Sequence, residues 1–494
     1  MRPSTIFTTR PSLTIFFFVV CIFLISAMKP WYTHRLIDGQ YWVLDYPPSV
    51  PFMWQYDKDA NAQLGSTAFF PDYYKLQPLL TDRPTMHALG WAIGQSIYPV
   101  IQWASGLRVT TKITQKGLRL IENSDLKTLY PDQFNDPEFQ LALLNRYISG
   151  AAGLVIFKLA FFFLSGLALF RLASHFSSNG VALFSVIYLL TDGYLINAIG
   201  TYHTYEFQIF SPIIICFLFF SLCQNYSLTR NIAFSLIVGL LMMAKPNYAA
   251  YIAILVYALL FFKDRRFVVI AAFISVISHS LPWALWHIFL ELKGFGLFGL
   301  FSTTEIPSGA PPLHPFSLIL SDLLTSDSHR AQVGMEPGLP AGNGATLLQA
   351  SGHNWSLLGL TVGLKIVTSK VLATIHAYGM LPGFLAAASF FTVRSGDKTR
   401  SIFSFFSLLI IAAVIQATVA FPFLWHDRFV FDSLFLIYFL ASISIFKIIG
   451  NRPTKNIVLI SFLAAVLFFT IVNKTKLPWI HPFDQKGEYS ERES

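Results

Sequence analysis

The chain has 494 residues, 54% hydrophobic and only 12% charged, with a formal charge of +9. A soluble domain carries about twice that charged fraction, and a single aqueous core cannot hide so much apolar surface, so composition sets aside an ordinary soluble protein in favour of a bilayer-embedded one. The basic residues cluster beside apolar runs, which is the cytoplasmic Lys/Arg bias of a membrane protein, and no nucleic-acid partner is expected.

The first apolar run, 12–28, follows Arg2 and Arg10 and ends without a small-x-small cleavage site. Residues 1–28 are therefore read as an uncleaved first transmembrane helix. Residues 29–148 are too polar to span but rich in Trp, Tyr, Phe and Pro, and disordered linkers are poor in aromatics, so a folded loop is predicted. Within it, 86–104 is moderately apolar. His87, Gln95, Pro99 and Gln102 argue against a lipid-exposed span, and the segment is read as a helix at the interface or packed on the bundle.

Residues 149–290 hold runs at 149–170, 181–199, 207–223, 231–244, 248–262 and 267–290, predicted as transmembrane helices two to seven. Residues 291–370 are a second long loop with Gly/Pro-rich stretches, suited to a lid. Runs at 371–392, 402–424, 429–446 and 455–472 make the last four helices in 371–473, and 474–494 is a polar tail. The prediction is an all-α bundle of about eleven membrane helices. Cys21, Cys216 and Cys223 fall inside apolar runs and read as packing residues.

A cytoplasmic N-terminus puts Arg171, Arg230, Lys263, Arg265, Arg266, Arg394, Lys398, Arg400, Lys447 and Arg452 on the inside, as the positive-inside rule expects. Both long loops and the C-terminus then lie outside. Lys158 is the only charge read as deep in a run, and a snorkelling role accounts for it.

The polar groups that could do chemistry gather on the outer side. Asp38, about ten residues beyond the hydrocarbon edge, could serve as a general base, although an Asp-Gly turn explains it as simply. Asp57 and Asp59 could bind a divalent cation, the one candidate cofactor; a solvated charged turn is the plainer reading. Arg83 could hold a phosphate or anchor the interface. His203 and Glu206 are three apart and would share a helix face, too few ligands for zinc. Lys245 could meet a lipid-borne phosphate or snorkel. In His426-Asp427-Arg428, Arg428 could reach a phosphate or pair with Asp427 or Asp432. There is no internal repeat and no nucleotide-binding or zinc-protease motif.

Asp38-Gly39-Gln40-Tyr41-Trp42 is similar to the Asp-Gly-x-x-Tyr element found after the first helix in bacterial members of the GT-C superfamily of membrane glycosyltransferases. Ala68-Phe69-Phe70-Pro71-Asp72-Tyr73-Tyr74 and Asp82-Arg83-Pro84 resemble the loop that follows it. Gly239 to Pro246 (GLLMMAKP) resembles the family's Gly-Leu-Leu-x-x-Thr-Lys/Arg-Pro helix end, and Asp427-Arg428-Phe429 resembles the start of a late helix. The likeness is poor over 291–370, and Gly39 stands where a second acidic residue is usual.

The resemblance implies a GT-C-like fold in a bacterial plasma membrane. It implies transfer of a sugar from a polyprenyl-phosphate donor to a glycan, lipid or protein acceptor on the extracytoplasmic face. Asp38 would be the catalytic base and Lys245 and Arg428 the donor-phosphate ligands, with Arg83, His203, Glu206 and His426 as further binding residues. Two other readings stay open. A polysaccharide polymerase or ligase would place its site in the second loop, at His314, His329 or Arg330. A flippase or transporter would carry repeats and mid-membrane charges.

Overall fold

The computed structural model describes residues 11–33, 64–76, 84–107, 126–192, 195, 205–244, 265–293, 380–392, 432–450 and 454–472. Every regular element among them is helical: α1 (Pro11–Thr33), α2 (Pro84–Leu107), α3 (Pro137–Phe176), α4 (Asn179–Leu190), α5 (Tyr205–Gln224), α6 (Leu228–Ala244), α7 (Arg265–Leu292), α8 (Met380–Thr392), α9 (Leu434–Ile449) and α10 (Lys455–Val472). Short turns at Asp72–Lys75 and Leu126–Leu129 complete the set. The expected runs 248–262 and 402–424 lie outside the described residues.

Local chemistry fixes the helix ends. Asp136 accepts the Glu138 N–H at 3.0 Å and Pro137 opens α3, a strong N-terminal signal. The helix therefore starts twelve residues before the expected edge at 149 and runs for 40 residues. Ser177 ends α3 and Ser178 caps α4, so only two residues separate them. Ser227 accepts the Arg230 N–H at 3.2 Å and starts α6. Gly450, at φ +63°, stops α9 in a conformation that glycine adopts without a Cβ penalty. The run 181–199 breaks early: α4 stops at Leu190, and Asp192 follows at its mouth.

Two of these helices, α3 and the stretch Ala272–Leu292 of α7, are long and apolar enough to cross a membrane. Half of the most apolar stretch of α3 is buried in protein, but only 11% of that of α7, whose Phe273, Val276, Leu285 and Ile288 are exposed.

Ring pairs give the helix directions. Phe157 stacks on Phe207, and Phe176 meets Phe220, so α3 and α5 run parallel. Tyr188 meets Tyr438 and Phe184 meets Phe446, so α4 and α9 run antiparallel. Phe219 meets Phe234 in an antiparallel α5–α6 pair. Ser235 faces Ser275 and Gly239 faces His279, so α6 and α7, although consecutive among the described helices, are parallel.

With those directions fixed, one end of the bundle gathers Arg171, His175, Arg230, Arg265, Arg266, Lys447 and Lys455, with no Asp or Glu among the described residues there. Asp192, Glu206, Glu291 and Asp432 sit at the opposite helix ends. The remaining described acids, Asp72, Asp132, Asp136 and Glu138, adjoin the start of α3 on that same side.

The segment 86–104 is helical as expected, within α2, and it packs antiparallel along α3. Small residues allow this. A Cβ at Gly153 would sit 2.6 Å from the Gly94 nitrogen and collide with the Gly90 carbonyl oxygen, and one at Gly94 would sit 2.8 Å from the Ser149 oxygen. Close backbone approach over Gly and Ser is the usual way for helices to associate in lipid.

Candidate functional site

Three polar constellations occupy the acidic end. The first forms where Leu64–Leu76 meets α2, α6 and α7. Leu64, Ser66, Thr67, Ala68 and Phe69 are all buried, wedged against α3 where Ala68 abuts Gly150. Tyr74 Oη lies 2.9 Å from His87 Nδ1, and both side chains are buried. In the neutral ring protonated at Nε2, Nδ1 accepts the Tyr74 proton. Phe70 and Phe289 stack on Trp286 at 5.6 Å and 5.4 Å, and Tyr74 presents an edge to it at 5.8 Å. Thr85 Oγ1 donates to the Leu240 carbonyl at 2.8 Å, tying the start of α2 to the last turns of α6.

The second constellation is Tyr130, Arg146 and Asp72, near the N-terminal end of α3. Burial pushes the Tyr130 phenol above its ordinary value, the Asp72 carboxylate adds to that, and a hydrogen bond and positive charge from Arg146 oppose it. The third lies between α4 and α9. The Tyr438 hydroxyl donates to Asp192 Oδ2, and Asp192 Oδ1 accepts the Leu195 N–H at 3.3 Å. Asp432 is 2% exposed in the turn that opens α9. Among the described residues no group of three or more His, Cys, Asp or Glu could hold a metal ion.

Of the residues proposed from sequence, Glu206 falls in the first turn of α5. Asp38, Asp57, Asp59, Arg83, His203, Lys245, His426 and Arg428 lie outside the described residues, as do His314, His329 and Arg330. Lys158 is 1% exposed and enclosed in the bundle, which corrects the snorkelling reading. Sequence reasoning missed Asp192, although a carboxylate inside the apolar run 181–199 was a readable signal. It also missed the Tyr74–His87 pair, because nothing in the spacing announces a contact across thirteen residues.

No family model matches this chain, and no curated protein or solved structure does either.

Proposed function

We propose that this chain is a polytopic membrane glycosyltransferase of the GT-C type, acting at the extracytoplasmic face on a polyprenyl-phosphate-linked sugar. The observation that carries the reading is the Thr85–Leu240 hydrogen bond. It ties Thr85, the residue after Asp82-Arg83-Pro84, to Leu240, which falls inside Gly239 to Pro246; these are two of the motifs on which the resemblance rests. Arg83 immediately precedes the first residue of α2, and Lys245 immediately follows the last of α6. Two cations at those positions suit the phosphate of a membrane-anchored donor.

Support for a membrane bundle comes from the helix directions and the charge polarity. Two consecutive parallel helices, α6 and α7, need a return path between Ala244 and Arg265, and the twenty residues 245–264, with the apolar run 248–262 at their centre, are enough to supply it. The basic end, which holds no acid among the described residues, is the one that the positive-inside rule assigns to the cytoplasm. That orientation leaves the Tyr130 and Asp192 constellations on the outer side, with the Tyr74–His87 pair lying deeper, at the first turn of α2.

The chemistry asks little of the protein. The acceptor hydroxyl gives its proton to Asp38 as its oxygen bonds to the anomeric carbon. The bond from that carbon to the donor phosphate oxygen breaks, and the phosphate leaves with the electron pair. Arg83, Lys245 and Arg428 stabilise the departing charge.

The test is transfer in membranes supplied with labelled polyprenyl-phosphate sugars. Asp38→Asn abolishes transfer, and Lys245→Ala raises the KM for the donor more than it lowers kcat. Full transfer by Asp38→Asn removes the catalytic assignment, and no transfer by the wild type with any donor favours a flippase of the same lipid-linked sugar.

A further inference from the structure

We infer that α2 is a re-entrant helix, sunk through the outer half of the hydrocarbon layer and presenting one face to outer-leaflet lipid; the inference rests on the membrane-bundle reading above. Neither a surface-lying nor a spanning helix fits its contacts.

Two independent contacts fix its depth. Along α3, Arg171 marks the cytoplasmic boundary, and about twenty helical residues cover a 30 Å layer, which puts the outer boundary near Ala151. Gly94 packs on Ser149 and Gly150 at that boundary, and Gly90 packs on Leu154 below it. Pro84 is a further six residues down the same antiparallel helix, so the first turn of α2 lies about 15 Å beneath the outer boundary. The second contact is on α6. Arg230 marks its cytoplasmic boundary, and Leu240, whose carbonyl accepts from Thr85, stands ten residues above it. That is again about 15 Å, the middle of a 30 Å layer.

The surface of α2 changes character at the same place. On the first-turn side of Gly94 the exposed residues are the apolar Leu89 and Ala92; beyond it the polar Gln95, Ser96 and Gln102 enter, among Pro99, Val100, Trp103 and Ala104. Acyl chains suit the first set and headgroups the second. Helix starts are costly in hydrocarbon unless their N–H groups are covered. Pro84 has no N–H to leave bare, and Met86 and His87 are buried in protein. Both ends of α2 then open to one side, so it adds no crossing and leaves the alternation of the other helices intact.

Single cysteines in a background lacking Cys21, Cys216 and Cys223 test this in membranes. A membrane-impermeant maleimide added outside labels Gln102→Cys rapidly and Leu89→Cys at least tenfold more slowly. A bimane on Leu89→Cys is quenched by lipids carrying a nitroxide on the acyl chain. Tyr226→Cys, in the α5–α6 link, is the orientation control and is labelled only from the cytoplasmic side. Equal outside labelling of Leu89→Cys and Gln102→Cys overturns the re-entrant assignment, and cytoplasmic labelling of Leu89→Cys replaces it with a span. If Tyr226→Cys and Gln102→Cys react from the same side, the bundle orientation itself fails.

Discussion

Tyr438 of α9 donates its hydroxyl to the carboxylate of Asp192, just past the end of α4. Four residues before Asp192, Tyr188 packs edge-on against the Tyr438 ring at 4.6 Å, yet its own hydroxyl finds no hydrogen-bond partner among the described residues. Two buried tyrosines in contact therefore carry hydroxyls of different worth. Tyr438→Phe leaves a buried carboxylate short of a donor and should cost about 1–3 kcal/mol. Tyr188→Phe removes a buried hydroxyl with no such bond and should be neutral or slightly stabilising. Thermal unfolding of the two variants in detergent micelles compares them directly, and an equal loss would contradict the assignment.

The α2–α3 contact makes a steric prediction. In Gly153→Ala the new methyl group meets backbone, at Gly90 and Gly94, which cannot rotate aside as a flexible side chain would. The helices must separate, at a cost of about 1–3 kcal/mol. Gly180→Ala is the control, because its methyl would meet only side chains at ordinary contact distances, the Phe446 ring edge at 3.4 Å and Ser178 Oγ at 3.9 Å. The readout is protease protection of the α2 segment together with the melting temperature. Gly153→Ala should lower both, and Gly180→Ala neither.

Tyr130 should make stability fall on the alkaline side. Burial first, then Asp72, holds its phenol above the ordinary value of 10.0, against the opposing pull of Arg146. A phenol that ionises less readily when folded stabilises the native state fully below its unfolded value. That contribution fades as pH rises through the folded value. Tyr130→Phe should thus flatten the decline in stability above pH about 10, and at neutral pH it should cost about 0.5–1.5 kcal/mol through loss of the Arg146 hydrogen bond. Asp72→Asn should lower the Tyr130 ionisation midpoint and Arg146→Gln should raise it, as followed by ultraviolet difference titration against Tyr130→Phe.

Legibility in the sequence divides along physical lines. The helices α1, α5, α6, α7 and α10 follow from apolar runs, because continuous hydrophobicity is a local property. The boundaries of α3 and α4 do not. The capping group at Asp136 extends α3 outward beyond its apolar stretch, and Thr191-Asp192 ends α4 inside a run that hydropathy alone would continue. The placement of 86–104 on α3 rests on Gly90, Gly94, Gly150 and Gly153 meeting across the helix pair, and no periodicity within either segment encodes that meeting. Residues that sequence reasoning selects as chemically suggestive, such as Asp38 and Arg428, stand out by type and neighbourhood. Tyr438 and His87 matter through partners distant in the chain, a relation that one sequence does not display.

The separation of charge predicts which ends face which compartment. Arg171, Arg230 and Lys455 lie in or beside three short helix links at one end, and Asp192, Glu206, Glu291 and Asp432 lie at the opposite helix ends. Translocating several cations is disfavoured, whereas carboxylates constrain orientation little, so the basic end should stay cytoplasmic. A reporter enzyme that folds only outside the cytoplasm should be inactive when inserted within 225–227 and active when fused after Lys293. Because α7 runs parallel to α6 and ends at the acidic side, both outcomes are required together. Replacing Arg171 and Arg230 by Glu should weaken the preference and produce a mixed population at both sites. Unchanged reporter activities in that double variant would show that charge at these links does not set the orientation.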